Sequence, residues 1–389
     1  MTIVEPKRAV IGGVDTHLDA HVAAVLDPVG GLLGVEEFGT TIAGYEGLLV
    51  WLSAFGPVLR VGVEGTGSYG AGLARFLLDH GVEVVEVDRP NRQERARKGK
   101  SDPVEAIEAA RAAQSGRASG RAKTRDGAVE AMRALLVVKR SARNQRTASL
   151  VQMRHLVFTA PDDIRARFFG LTGVQLVAQA AALRPREGGD LVGHATKVAL
   201  RQLARRVQGL TAEITEARRL LRPLVAGTAP GLLGLYGVGI EVAAVLLVAA
   251  GDNPERIKSE AAFAQMCGVA ALEASSGKVT RHRLNRGGNR QANHALFRVV
   301  VTRMGSDPRT IRYVERRRKE GKSTPEIMRV LKRYVARETF KCLPTHAGPD
   351  RRPELLADVE MPAGELRTVT AATDALCCAE APESAARCC

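Results

Sequence analysis

The chain has 389 residues, with 57 Lys and Arg against 42 Asp and Glu, a formal charge of +15 and a pI near 10.0. That length predicts two or three domains with room for buried cores, and the charge favours a polyanionic partner bound with steep salt dependence. No apolar run of about 18 residues escapes charges or glycine breaks, so a membrane span is not expected. The opening "MTIVEPKRAV" lacks the apolar stretch of a signal peptide. Of six cysteines, Cys377, Cys378, Cys388 and Cys389 crowd the last residues and only Cys267 and Cys342 fall in sequence that reads as folded. That is no disulfide framework, and a reducing cytoplasm fits it.

Residues 8–115 read as α/β. Arg8–Asp15, Ala20–Leu26 and Leu32–Phe38 are short β-type runs parted by turn signals, and their short connections imply an antiparallel meander. A helix over Ile42–Ala54, a strand over Val58–Val63, a helix over Tyr69–Leu78 and a strand over Val82–Val87 follow, then a helix opening on "SDPVEAIEAARAA". Three hairpin-linked strands followed by alternating helix and strand is the order of a ribonuclease-H-like sheet, although other α/β folds also begin with a meander. From about Gly127 to Leu224 apolar residues recur at three and four spacing, which predicts a long antiparallel helical arm. Apolar stripes left exposed on such an arm favour self-association. Residues 228–343 read as helical with a Gly-rich insertion, and the Pro-, Ala- and Glu-rich stretch 344–389 as a disordered tail. The expected domains are therefore 1–120, 121–227 and 228–343, followed by that tail.

Two sets of residues carry chemistry. Asp15 ends the first strand in "GVDTH" and Glu64 ends a later one in "GVEGTGSYG", each with a glycine nearby that lets a ligand approach the backbone. Asp102 and Glu105 are spaced i, i+3 and share a helix face. Four acids from two strand ends and one helix suit Mg2+, which prefers oxygen ligands and keeps positions for water and phosphate. The competing reading of Asp102–Pro103–Val104–Glu105 is a helix-capping box with Pro at the first position. The second set is Ser275, Ser276, Gly277 and the cations Lys278, Arg281, Arg283, Arg286 and Arg290. A serine hydroxyl needs a base, a metal or nearby positive charge to attack phosphorus, and arginine forks hold phosphate oxygens bidentately. A Ser/Gly loop with solvated cations is the plain alternative.

Three further segments are open to two readings. "GLYGVGIEVAA", with Gly237 and Gly239 between apolar stretches, resembles a helix-hairpin-helix whose turn offers N–H groups to phosphate, or a simple helical packing unit. Arg316, Arg317, Arg318 and Lys319 are candidate phosphate contacts or a solvated helix face. His282 and His294 lack metal-ligand partners at useful spacing.

"GVDTH", "GVEGTGSYG", "VDRPNRQERARKGKSDP" and the later "SSGK…RLNRGGNRQ" resemble, in order, the DEDD transposases of the insertion-sequence-110 family, over about residues 8–343. The resemblance implies an α/β ribonuclease-H/RuvC-like N-terminal domain, a helical coiled-coil arm and a mainly α C-terminal transposase domain with a helix-hairpin-helix-like element. It also implies Mg2+ on Asp15, Glu64, Asp102 and Glu105, with Ser276 rather than Ser275 as nucleophile. The implied partners are donor and target DNA, a structured guide (bridge) RNA and further copies of the chain, in the cytoplasm and associated with the nucleoid. The family usually has Asp where this chain has Glu105, a side chain one methylene longer, and metal sites need ligands placed to about half an ångström. The resulting expectation is an RNA-guided recombinase working through a covalent phosphoserine. The alternatives are a RuvC-like junction nuclease using water and a decayed, purely nucleic-acid-binding relative.

Overall fold

The computed structural model describes residues 8–87, 101–118, 120–185, 190–253, 256–273, 275–277 and 282–344. The basic segment 88–100, Lys278, Arg281 and the chain from 345 onward lie outside the described residues. Strands β1 (Val10–Thr16), β2 (Ala20–Leu26) and β3 (Leu32–Gly39) form the expected antiparallel meander. Helix α1 (Ile42–Phe55), β4 (Val58–Glu64), α2 (Ala71–Asp79), β5 (Glu83–Val87) and α3 (Asp102–Gln114) follow. β4 lies parallel to β1, and β5 parallel to β4. A two-residue strand that the sequence pattern did not signal, β6 (Gly120–Arg121), closes the far edge antiparallel to β5. The resulting order, β3-β2-β1-β4-β5-β6, is consistent with a ribonuclease-H-like sheet.

Strand alternation gives this sheet two buried faces. Val10, Val14, Val61 and Val63 pack with Leu48 and Leu52 of α1 and Leu73 and Leu77 of α2. On the other face Ile11 and Val85 meet Ala113, while Val22 and Ala24 meet Ala106, both alanines belonging to α3. α3 lies very close to the strands because nothing projects between them. A Cβ on Gly13 of β1 would sit 2.1 Å from the Ala110 nitrogen, and one on Gly62 of β4 would sit 2.5 Å from the Ala109 oxygen. Glycine inside a strand costs roughly 0.5–1 kcal/mol against alanine. Here the cost is offset by the backbone approach it permits.

The remainder is helical. α4 (Ala128–Phe158) and α7 (Leu191–Thr228) are joined through α5 (Asp162–Phe168) and α6 (Gly173–Ala181), two short helices the periodicity did not separate. The two long helices run antiparallel. Met132 and Leu136 share a core with Leu221 and Val225, Ala142 packs with Leu210 and Ile214, and Met153 and Val157 share a core with Leu200 and Ala204. Buried positions on α7 recur at three and four spacing, as a coiled-coil seam requires. The helical body comprises α8 (Pro230–Leu233), α9 (Ile240–Ala250), α10 (Glu260–Met266), α11 (Arg290–Ser306), α12 (Pro308–Lys319) and α13 (Thr324–Lys341). A two-stranded ribbon, β7 (Leu272–Glu273) and β8 (His282–Arg283), inserts after α10. Val129, Met132 and Leu136 at the start of α4 belong to the core of this body, with Leu247, Phe263, Leu296 and Val335. Among the described residues no helix is long and apolar enough to cross a membrane.

Candidate active site

β1 is the central strand, flanked by β2 and β4, so its C-terminal end is fixed on both sides. Asp15 sits there, buried, and the Thr16 hydroxyl donates to the Glu64 carbonyl at 2.8 Å, tying the two acid-bearing strand ends together. Gly65, at φ 73°, then turns the chain sharply away from β4. The close seat of α3 delivers Glu105 into the same space. One carboxylate oxygen each from Asp15, Glu64 and Glu105 lie within 4.8 Å of one another, and Asp15, His17 and Asp102 meet the same criterion. The structure therefore joins Asp15 to Glu64 and Glu105 in one group and to Asp102, through His17, in a second, and the extra methylene of Glu105 does not remove it from the first.

The capping-box reading fails. The N-cap of α3 is Ser101, not Asp102: its carbonyl accepts the Glu105 amide at 3.1 Å, and the Glu105 side chain is buried. Glu108, one turn further on, pairs with Arg111 at 2.8 Å.

His17 is the residue that the sequence reading passed over. Its Nε2 lies 3.1 Å from Asp15 Oδ2 and 3.4 Å from Asp102 Oδ1, bridging the strand acid to the helix acid. The signal was present in "GVDTH": His17 follows Asp15 by two residues, one position past the end of β1, close enough in sequence to return to the same carboxylate. Burial pushes the Asp15 carboxyl above its ordinary range; the charges of Glu105 and Asp102 add to the rise, and His17 opposes it. Carboxylates crowded this way repel one another. A divalent cation relieves that repulsion, and an all-oxygen trio supplemented by one imidazole suits a hard or borderline ion.

The serine is carried by a different element. Ser276 is exposed beside Gly277, which sits at φ 56° between the two ribbon strands. The ribbon's base is tightly anchored. A Cβ on Gly288 would lie 2.3 Å from the Gly268 Cα, and the Asn289 amide donates to the Met266 carbonyl at 2.7 Å. Asn289 also caps α11, and the Asn293 amide donates to the Cys267 and Gly268 carbonyls, both at 3.0 Å. Arg283, Arg286 and Arg290 are exposed around this base.

The glycine turn before α9 places Gly237 at φ 77° and Gly239 as the N-cap, while the helix preceding it is a single turn. Arg316 and Arg317 pair with Glu320 and lie over the Tyr313 ring, which favours the solvated-face reading of that cluster.

Residues 12–160, which hold Asp15, His17, Glu64, Asp102 and Glu105, match a transposase family model, that of the IS110 DEDD domain. Residues 230–315, which hold Ser276 and the ribbon base, match the model of the transposase IS116/IS110/IS902 family. The chain belongs to the IS110 family of transposases. A relative in Streptomyces coelicolor (strain ATCC BAA-471 / A3(2) / M145), the insertion element IS110 uncharacterized 43.6 kDa protein, is 35% identical over 109 residues. That match spans 28% of this chain and 27% of the relative's length. Between the two family segments of this IS110-type chain lie α5, α6 and all of α7, so the distal arm falls outside both.

Proposed function

We propose that this IS110-family protein is a DNA transposase that cuts and exchanges strands through a covalent phosphoserine, guided by a structured RNA. The observation that carries the reading is the pair of groups that share Asp15, one with Glu64 and Glu105 and one with His17 and Asp102, at the ends of β1 and β4 and the start of α3. Asp15, Glu64 and Glu105, with Asp102 through His17, are the residues that would hold a divalent cation, Mg2+ in this proposal. Such an ion supplies positive charge at a scissile phosphate. The chain's own groups do the rest. Ser276 Oγ loses its proton and bonds to phosphorus as the strand's 3′ oxygen leaves as a hydroxyl. A 3′ hydroxyl of the partner strand then attacks the phosphoserine and frees Ser276. Arg283, Arg286 and Arg290, together with Lys278 and Arg281, hold the phosphate backbone. Two duplexes have to be cut and joined, which calls for several protomers, with the α4–α7 arm as the means of assembly. On this reading residues 1–120 carry the acids, 121–227 the arm and 228–343 the serine.

Labelled donor DNA, the transcript flanking the gene, Mg2+ and protein, resolved on a denaturing gel, test the proposal. A DNA-linked protein band is expected from the natural chain and none from Ser276→Ala. A stronger band from Glu105→Asp would mark the longer acid as a partial lesion. Cleavage that survives Ser276→Ala with no linked band would replace the proposal with a water-using nuclease. Neither product in any variant would leave a nucleic-acid-binding relative.

A further inference from the structure

Arg256 lies outside both sets of site residues, yet its guanidinium touches three separate elements. Nη2 meets Glu86 Oε2 on β5 at 3.2 Å, Nε donates to the Arg121 carbonyl of β6 at 2.9 Å, and Nη1 rests 3.7 Å from the sulfur of Met266 at the end of α10. Each contact leads onward. The other Glu86 oxygen accepts the hydroxyl of buried Thr66 at 2.8 Å, and Thr66 is two residues beyond Glu64 in the turn that ends β4. The Met266 carbonyl accepts the Asn289 amide at 2.7 Å, at the base of the serine-bearing ribbon. One planar fork thus joins the turn behind a cluster acid to the platform beneath Ser276.

The surroundings favour a fixed geometry. Arg125 donates to the Gly67 carbonyl at 3.0 Å in the same turn, and Asn253 donates to the Ala122 carbonyl at 2.8 Å. Lys123 donates to the Val248 carbonyl at 2.6 Å, and burial, reinforced by the charges of Arg256 and Arg125, pushes its ammonium down to about 8. Thr66 and Asn253 are buried, while the Arg256 and Glu86 side chains stay part-buried, so the polar groups at the inner side of this junction depend on one another for partners.

We infer that Arg256 is a positioning residue: through Glu86–Thr66 on one side and Met266–Asn289 on the other, it holds the serine platform in register with the carboxylate cluster. The inference rests on reading those two sets as parts of one reaction centre. Lysine does not substitute, because a single ammonium cannot present three fixed donors to three elements.

Amide hydrogen exchange on the full chain, without metal or DNA, reads the coupling directly. Glu86→Gln, which keeps the side chain's shape and an acceptor for Thr66, is expected to speed exchange of the Asn289 amide about five- to tenfold, although Asn289 touches neither Glu86 nor Thr66. Arg256→Gln is expected to speed both Asn289 and the turn over Gly65–Gly70, and Arg256→Lys to restore neither fully. Peptides over α1 serve as the control for global unfolding. Asn289 at the natural rate in Glu86→Gln, with changes confined to Gly65–Gly70, overturns the inference. A parallel adduct assay separates the two readings. If the natural chain forms no DNA-linked band, the proposed chemistry falls and the exchange result still decides the coupling. If it forms one, Glu86→Gln should slow it with divalent-cation affinity unchanged, and an unslowed band overturns the positioning role.

Discussion

Asp15 shows what a reactive site costs the fold that holds it. Its carboxyl is pushed above the ordinary 3.8 by burial first and by neighbouring acids second. The folded chain therefore keeps that proton to a higher pH than the unfolded chain does. Between the two pKa values the native state binds more protons, so stability falls as pH rises through the window, and the penalty stands in full above it. Asp15→Asn is expected to raise the melting temperature in chelator by a few degrees, about 2–4 °C for each kcal/mol relieved in a domain of 150–250 residues. It is also expected to abolish the melting-temperature gain that Mg2+ or Mn2+ gives the natural chain. A variant that melts lower in chelator and still gains from the ion would remove Asp15 from the cluster. The acids were legible in the sequence because a carboxylate closing an apolar strand beside glycine is unusual, and Glu105 because it shares a helix face with Asp102. The bridge from Glu86 to Arg256 was not, since those residues stand 170 apart and only the tertiary fold makes them neighbours.

Among the elements, the seat of α3 on the sheet decides whether there is a site at all. Ala106, Ala109, Ala110 and Ala113 line its buried side, and Gly13 and Gly62 lie beneath them. Adding a methyl at Gly13 pushes the helix outward along its length, and Glu105 moves with it. Gly13→Ala is expected to destabilise the chain by about 1–3 kcal/mol, the usual cost of overpacking, and to weaken divalent-cation binding in a titration at the same time. Gly39→Ala, where an added Cβ meets nothing within 4 Å, is the control and should stay within about 0.5 kcal/mol. Loss of stability without loss of cation affinity would show that α3 does not position Glu105. The strands and long helices were readable from turn residues and period. β6 was not, being two residues long. α6 announced itself by a Thr172–Gln175 capping box that the apolar periodicity of the longer helices obscured.

For the whole molecule the charge of +15 becomes an affinity only through the cations that reach phosphate. Replacing Arg283, Arg286 and Arg290 together by Gln should reduce the slope of log affinity against log salt by about 2 to 3 on duplex DNA. An unchanged slope would assign these arginines to a solvated surface. A different property follows from where the long helices begin and end. Leu136 and Leu221 share the core of the helical body, whereas Met153 and Leu200 belong to a separate core further out. The chain leaves the body and re-enters it at one threshold, so α4 and α7 form an outrigger rather than a bridge. Removing a matched seven residues from each helix would shorten its reach by about 10 Å and keep the seam in phase. Neither the sheet nor the serine platform would have to be rewritten. The reach of this outrigger is therefore a dimension that insertions and deletions can vary in whole heptads, independently of the chemistry at its root.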